Sequence, residues 1–338
     1  MKLFTNITLM ALLTVSWCAT SFAAPVSSDP EELKTVPGVM KRTVEFWSDG
    51  TRLSGDVIYP KGATDDDKLP CIVLCHGWGG VKAHLNTYIG PLFAKAGFVV
   101  FAFDYRGWGD SDARLVVTGD MPKPDANGKV TVEALAIQQL VDPADQQEDI
   151  DAALTFVEGE PMVDTDRIGI WGSSFGGGHV IWRAANDDRV KCVVAQVGAM
   201  DQRGLTVSQL EAKGLNGLEE MRKNKIRRVR GELPPVPLGD DKPEGLTGSP
   251  YYERFVDFMP VAEAHKITVP VMIIDAELEH YFDNKENGYA VYQILKENNV
   301  TAEYKEFEGM KHYDVYSKDL RKAMELEIPW FKKHLAGE

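Results

Sequence analysis

Cysteine is scarce in this chain of 338 residues, with four in all. Cys18 lies in the first 25 residues, and the others are Cys71, Cys75 and Cys192. Cys71 and Cys75 share one apolar run, roughly 13 Å apart at ~3.3 Å per residue, well beyond the ~7 Å that a disulfide bridges. The odd number of thiols that remains also argues against a disulfide framework. These thiols read as small buried hydrophobes.

Long apolar runs are equally scarce. After residue 25 none approaches the ~20 residues of a membrane helix, so no stable membrane anchor is expected. Positive charge is in deficit too, with 37 Lys and Arg against 51 Asp and Glu and a net charge of −14. Such a chain repels phosphate backbones, so no nucleic-acid partner is expected. One local exception is "RKNKIRRVR", residues 222 to 230. It reads as a solvated helix face, with an anion-binding patch as the alternative. Internal repeats and low-complexity tracts are absent, and nothing in the sequence speaks to oligomeric state.

The first residues, "MKLFTNITLMALLTVSWCATSFAAP", place Lys2 before an apolar run from Ile7 to Trp17 and small residues before Ala24. That is the layout of a secretory signal peptide cleaved after Ala23, which implies a secreted or periplasmic protein. A lipoprotein signal at Cys18 fits less well, because bulky Trp17 stands where such processing needs a small residue. Residues 24–338 are expected to form a single domain.

Within that domain, "RTVEFWSDGTRLSGDVIYP" gives two β-rich runs around Ser48-Asp49-Gly50, a hairpin signal. "PCIVLCHGWGG" is a short apolar run closed by glycines, as expected of a strand buried on both faces. A helix over about 83–96, bent at Pro91, should follow. "FVVFAFDYRGWGDSD", "RIGIWG", "VKCVVAQVG", "VPVMIID" and "TAEYKEFEG" continue the series, with helical patterns between them. Buried strands alternating with helices imply an α/β fold with a mostly parallel sheet covered on both faces. Residues 112–142 and 200–265 exceed ordinary connections. The second reads as a helical cap over a site, or else as a surface excursion without a role.

In an open α/β sheet, ligands bind beyond the carboxyl ends of the strands. There the chain runs "IGIWGSSFGGGHV", with Gly172-Ser173-Ser174-Phe175-Gly176 matching G-x-S-x-G around Ser174. The glycines let helix and strand pass closely while the central hydroxyl is pushed into the open. Ser173 cannot take that place, because Trp171 stands two positions before it. Ser173 reads as a small neighbour.

A serine hydroxyl needs a base, and the base an orienting carboxylate. Of seven histidines, His312 lies just beyond the last strand in "EGMKHYDVY" and is the candidate base, with His280 as the alternative. His76 reads as structural, His84 as the opening of a helix, and His179 as pointing away. In the acidic loop "IDAELEHYFD", Asp275 should still be in the strand, Glu277 falls too early in the turn, and Asp283 reads as a helix N-cap. Glu279 is placed to reach His312. The order Ser174, Glu279, His312 is that of nucleophile-elbow folds. Backbone N–H groups of Phe175 and Trp78 are the candidate oxyanion donors. The Trp78 indole would wall an acyl pocket, or else pack in the core.

With the elbow, "HGWGG", "DYRGWGDS", the acidic loop and "GMKHYDVY" in this order, residues from about 40 onward resemble the α/β-hydrolase superfamily, in its dienelactone-hydrolase-like and secreted-esterase branches. The resemblance implies an eight-stranded sheet whose first pairing is the hairpin, an acyl-enzyme mechanism, and no metal or cofactor. The family's nucleophile falls on Ser174, its histidine on His312, its acid on Glu279, and its oxyanion donors on Trp78 and Phe175. Dienelactone hydrolases carry cysteine at the Ser174 position, and many relatives carry aspartate at the Glu279 position. Arg106 and Asp110 read as loop-holding. The expected activity is cleavage of a small-molecule carboxylic ester. A peptidase or amidase with the same residues, and a non-catalytic binding protein, are the alternatives.

Overall fold

A computed structural model of the chain describes residues 26–212, 214–238 and 245–337. The expected signal peptide, residues 1–23, lies outside the described residues. The central sheet is built from β1 (Glu31–Glu32), β2 (Val39–Ser48), β3 (Thr51–Pro60), β4 (Leu69–Cys75), β5 (Val99–Phe103), β6 (Val163–Ser173), β7 (Val190–Gln196), β8 (Val271–Leu278) and β9 (Ala302–Lys311). Their spatial order is β1-β2-β3-β5-β4-β6-β7-β8-β9. Pairings up to β3–β5 are antiparallel, and every pairing from β5–β4 onward is parallel. The ninth strand is the addition to the eight expected: Glu31–Glu32 in the polar lead pairs with Met40 and Lys41 through its backbone. Two glutamates carry no apolar pattern by which such an edge strand could be read.

The β2–β3 hairpin turns where expected, with Asp49 and Gly50 both at positive φ, the conformation a tight right-twisted hairpin demands. Helices follow as α1 (Lys82–Tyr88), α2 (Gly90–Lys95), α3 (Pro143–Glu158), α4 (Phe175–Asn186), α5 (Gln202–Ala212), α6 (Gly217–Val229), α7 (Gly288–Glu297) and α8 (Leu320–Phe331). The helix expected over 83–96 breaks at Ile89, just before Pro91, whose missing N–H interrupts the helical ladder. The helix of the acidic-loop segment starts later than its sequence implies. Asp283 closes a turn by accepting the Lys285 N–H at 2.9 Å, and Asn287 precedes the helix proper.

The apolar strands are continuous because both faces are covered. Cys71, Val73 and Cys75 face one cluster with Ile150, Leu154 and Val180, whereas Ile72 and Leu74 face the other with Phe93 and Phe331. Full burial of each large aliphatic or aromatic side chain is worth roughly 1.5–3 kcal/mol. All three described cysteines are free and buried, and burial pushes the Cys75 thiol up to about 12.

The two long excursions meet. Residues 112–142 hold a small antiparallel ladder, Arg114–Val117 with Ala134–Ile137. Leu140–Val141 then pairs with Ser249–Pro250 from the second excursion. Within that second excursion, α5 passes over the carboxyl end of the sheet.

Candidate active site

β6 ends at Ser173, and Ser174 immediately precedes α4 with φ 58° and ψ −124°. That is a strained backbone for a residue with a Cβ. Three hydrogen bonds hold it: Ser174 N–H donates to the Gln196 carbonyl at 3.0 Å, and its own carbonyl accepts from Gly177 at 2.9 Å and Ala199 at 3.1 Å. The flanking glycines are required by contact. A Cβ on Gly172 would stand 2.2 Å from the Gly176 carbonyl oxygen, and one on Gly176 would stand 2.2 Å from that of Cys75.

His312 follows β9 directly and is 2% exposed. Its Nε2 lies 3.0 Å from Ser174 Oγ, and its Nδ1 lies 2.6 Å from Glu279 Oε2. Glu279, one residue past β8, accepts the N–H groups of His280 and Tyr281 at 2.8 and 2.9 Å on its other oxygen. Burial opposes ionisation of Glu279. The His312 hydrogen bond and charge, with those two N–H groups, outweigh it and hold the carboxyl below its ordinary range. The sequence candidates Ser174, His312 and Glu279 therefore meet in one hydrogen-bonded line.

The "HGWGG" turn closes on Ser174 from the end of β4. A Cβ on Gly77 would lie 2.8 Å from Ser174 Cβ, which forces glycine at the contact. Trp78 is half-buried, packs edge-on against Phe175 with ring centroids 5.6 Å apart, and donates its indole N–H to the Thr247 carbonyl at 2.9 Å. Among the described residues, the backbone N–H groups of Trp78 and Phe175 donate to no protein acceptor.

The other candidates are accounted for elsewhere. His76 is buried, holds the Gly77 carbonyl at 3.0 Å through Nδ1, and is lowered to about 4 by burial. His179 is buried between Gln146 and Gln147 and lowered to about 3. His280 is exposed on the loop beside His312. Asp275 is fully buried within β8, and burial pushes its carboxyl up to about 8. Arg106 grips Asp149 through Nε and Nη2 at 2.9 and 2.7 Å, and Asp110 pairs with Lys82 at 2.5 Å. Both brace the turn after β5. The basic stretch lies on α6, where Lys223 pairs with Glu219, Lys225 with Asp257 and Arg228 with Glu253. None of its residues lines the pocket over Ser174.

Four contacts carry no sequence signature. Ser173 is 1% exposed, and its Oγ takes a hydrogen bond from the Gln196 amide at 2.9 Å and shares another with the Tyr316 hydroxyl at 2.5 Å. It is a strut rather than a bystander, which corrects the expectation drawn from its small size. Tyr281 sets its ring edge-on to His312, with centroids 4.8 Å apart. Its hydroxyl meets that of Tyr313 at 2.9 Å. The pocket these groups enclose has a volume of about 400 Å³. A larger groove of about 930 Å³ between α3, α4 and the hairpin includes none of Ser174, His312 or Glu279.

The family model of X-Pro dipeptidyl-peptidase (S15 family) matches residues 49–214. The uncharacterised 31.7 kDa protein of the traX-finO intergenic region of Escherichia coli is 30% identical, the match covering 88% of this chain and 100% of that one. The crystal structure of hypothetical protein PA2218 from Pseudomonas aeruginosa superposes with a TM-score of 0.63 at 21% identity, over 91% of this chain and 100% of that one. The chain belongs to one family with that Escherichia coli protein and has the α/β-hydrolase fold. Acetyl xylan esterase from Paenibacillus sp. R4 shares the fold, with a TM-score of 0.60 and 20% identity over 91% of this chain and 89% of that one. The match to that family model and the shared fold support an enzyme of the hydrolase type. The elbow at Ser174 falls within the span matched by the family model, whereas Glu279 and His312 lie outside it.

Proposed function

We propose that the protein hydrolyses carboxylic esters of small molecules through an acyl-enzyme formed on Ser174. The observation that carries this reading is the line Ser174 Oγ to His312 Nε2 at 3.0 Å and His312 Nδ1 to Glu279 Oε2 at 2.6 Å. In the proposed first step, His312 Nε2 takes the Ser174 proton while Oγ bonds to the ester carbonyl carbon. The oxyanion is held by the N–H groups of Phe175 and Trp78. The carbon–oxygen bond to the alcohol then breaks, and His312 returns the proton to the leaving alkoxide. Water, deprotonated by His312, attacks the acyl-enzyme; the bond to Ser174 Oγ breaks, His312 returns the proton to Oγ, and the acid is released. Glu279 keeps Nδ1–H directed and offsets the imidazolium charge.

Turnover of p-nitrophenyl butyrate tests the reading. Wild-type protein should hydrolyse it, and Ser174→Ala should reduce kcat by at least about 10⁴-fold with an unchanged far-ultraviolet circular dichroism spectrum. Equal turnover by both proteins contradicts it.

The match to a family described as X-Pro dipeptidyl-peptidase favours a second reading, amide cleavage by the same residues. A p-nitroanilide hydrolysed faster than the matched p-nitrophenyl ester would select it. Export belongs to the proposal as well and rests on the leader pattern of residues 1–23. A mature protein beginning at Ala24 outside the cytoplasm is expected; an intact leader on a cytoplasmic protein contradicts it.

A further inference from the structure

The pocket over Ser174 runs along α5. Its near end is set by Ala199, whose N–H donates to the Ser174 carbonyl at 3.1 Å and whose own carbonyl accepts the Gln202 amide at 2.6 Å. Gln202, Leu205 and Gln209 all line the pocket, at the three- and four-residue spacing of a single helix stripe. Seven residues of helix rise ~10 Å. Gln209 therefore stands about one small acyl group away from the elbow end.

The remaining walls combine apolar side chains with uncharged polar groups and histidines. Leu85 and Ile89 are 3% and 2% exposed, and Trp78, Phe175 and Leu246 extend the sleeve between them and α5. At the mouth stand Tyr88 and Tyr313, 56% and 52% exposed. Among the described residues, the lining contains no Asp, Glu, Lys or Arg, in a chain of which 26% is charged. A charged group entering this sleeve would surrender its hydration without meeting a carboxylate, ammonium or guanidinium counter-charge in return. A neutral apolar group gains by the area it buries. The α-ammonium of an Xaa-Pro peptide falls in the disfavoured class.

We propose that the site selects uncharged esters with an apolar acyl group, and that Gln209, at the far end of the α5 stripe, is the specificity residue that reads the distal end of that group. The proposal rests on the ester-hydrolase reading above and adds the substrate class to it. A pocket of about 400 Å³ lies toward the small end of ligand cavities, which suits a small molecule rather than a polymer end.

The test is a panel of substrates offered to the purified mature chain, with rates normalised to the fraction labelled by a fluorophosphonate probe. The panel holds p-nitrophenyl butyrate and hexanoate as neutral esters, p-nitrophenyl hemisuccinate as the anionic ester, the p-nitrophenyl ester of 4-(trimethylammonio)butyric acid as the cationic one, and glycyl-proline p-nitroanilide. The neutral esters should lead in kcat/KM by at least about tenfold. Gln209→Glu should raise the ratio of cationic to neutral turnover, and Gln209→Lys that of anionic to neutral, each by about tenfold. A labelled enzyme that turns over a charged ester or the dipeptide anilide as fast as the neutral esters overturns the proposal. So do folded Gln209 variants with unchanged ratios. Failure to label, with no turnover of any ester, instead overturns the ester-hydrolase reading beneath it.

Discussion

Ser173 Oγ and the Tyr316 hydroxyl, 2.5 Å apart, join the strand that ends at the elbow to the turn that follows His312. Gln196 completes the joint: its side-chain amide holds Ser173, and its backbone carbonyl holds the Ser174 N–H. Two adjacent serines thus have separate uses, one exposed to the pocket and one fixing the frame around it.

On the proposed mechanism, Ser173 and Tyr316 are positioning residues that set the Ser174–His312 separation. Ser173→Ala and Tyr316→Phe should each lower kcat about tenfold, the worth of one buried hydrogen bond. KM should change little, because neither group is asked to bind the ester more tightly in the ground state. Steady-state kinetics on folded variants check this. A change confined to KM, or none at all, contradicts the positioning role.

Glu279→Gln keeps the shape and removes the charge. The amide cannot offset an imidazolium, and it can favour the wrong His312 tautomer, so kcat should fall by about 10²–10⁴. Folding should survive, because the His280 and Tyr281 N–H groups retain an oxygen acceptor. Kinetics beside a thermal melt distinguish this loss from unfolding.

Arg106 is predicted to matter for folding rather than for chemistry. Its guanidinium meets Asp149, which is fully buried, and Ser48 Oγ at 2.9 Å. Arg106→Ala would strand the Asp149 carboxylate, and removal of one partner from a buried pair costs about 3–5 kcal/mol. Denaturant unfolding should show that loss. The kcat of the fraction that remains folded should stay near wild type.

Asp275 makes stability depend on pH. Unfolded, it ionises near its ordinary 3.8, whereas in the folded protein burial raises it to about 8. Between those values the unfolded chain has released a proton that the folded chain retains. The Asp275 contribution to stability therefore falls as pH rises from about 4 to about 8. Asp275→Asn removes this slope and should gain on wild type between pH 5 and pH 8. Urea midpoints at the two pH values measure it, and a gap that does not change with pH contradicts it.

The parallel core of the fold was legible because strands such as β4 and β5, covered on both faces, read as short apolar runs leading into glycine-rich turns. The positions of Ser174, Glu279 and His312 were legible for a related reason: each follows the carboxyl end of a strand, and those ends lie along one edge of the sheet. The edge strand Glu31–Glu32 was not, since its pairing is made by backbone atoms. Neither was the Ser173–Tyr316 contact, in which partners 143 positions apart have no periodicity to betray them. The glycine that opens α7 is likewise fixed by packing. A Cβ on Gly288 would stand 2.1 Å from Asp275 Oδ2, a constraint that comes from a strand elsewhere in the chain and has no local signal.

Peptide mapping after fluorophosphonate labelling decides whether Ser174 is an activated nucleophile. An activated serine reacts with the probe and an ordinary one does not, so the account predicts one modified peptide, carrying the label on Ser174. It also predicts that His312→Ala abolishes labelling in a folded protein. Label on another residue, or no label on folded wild-type protein, would contradict it.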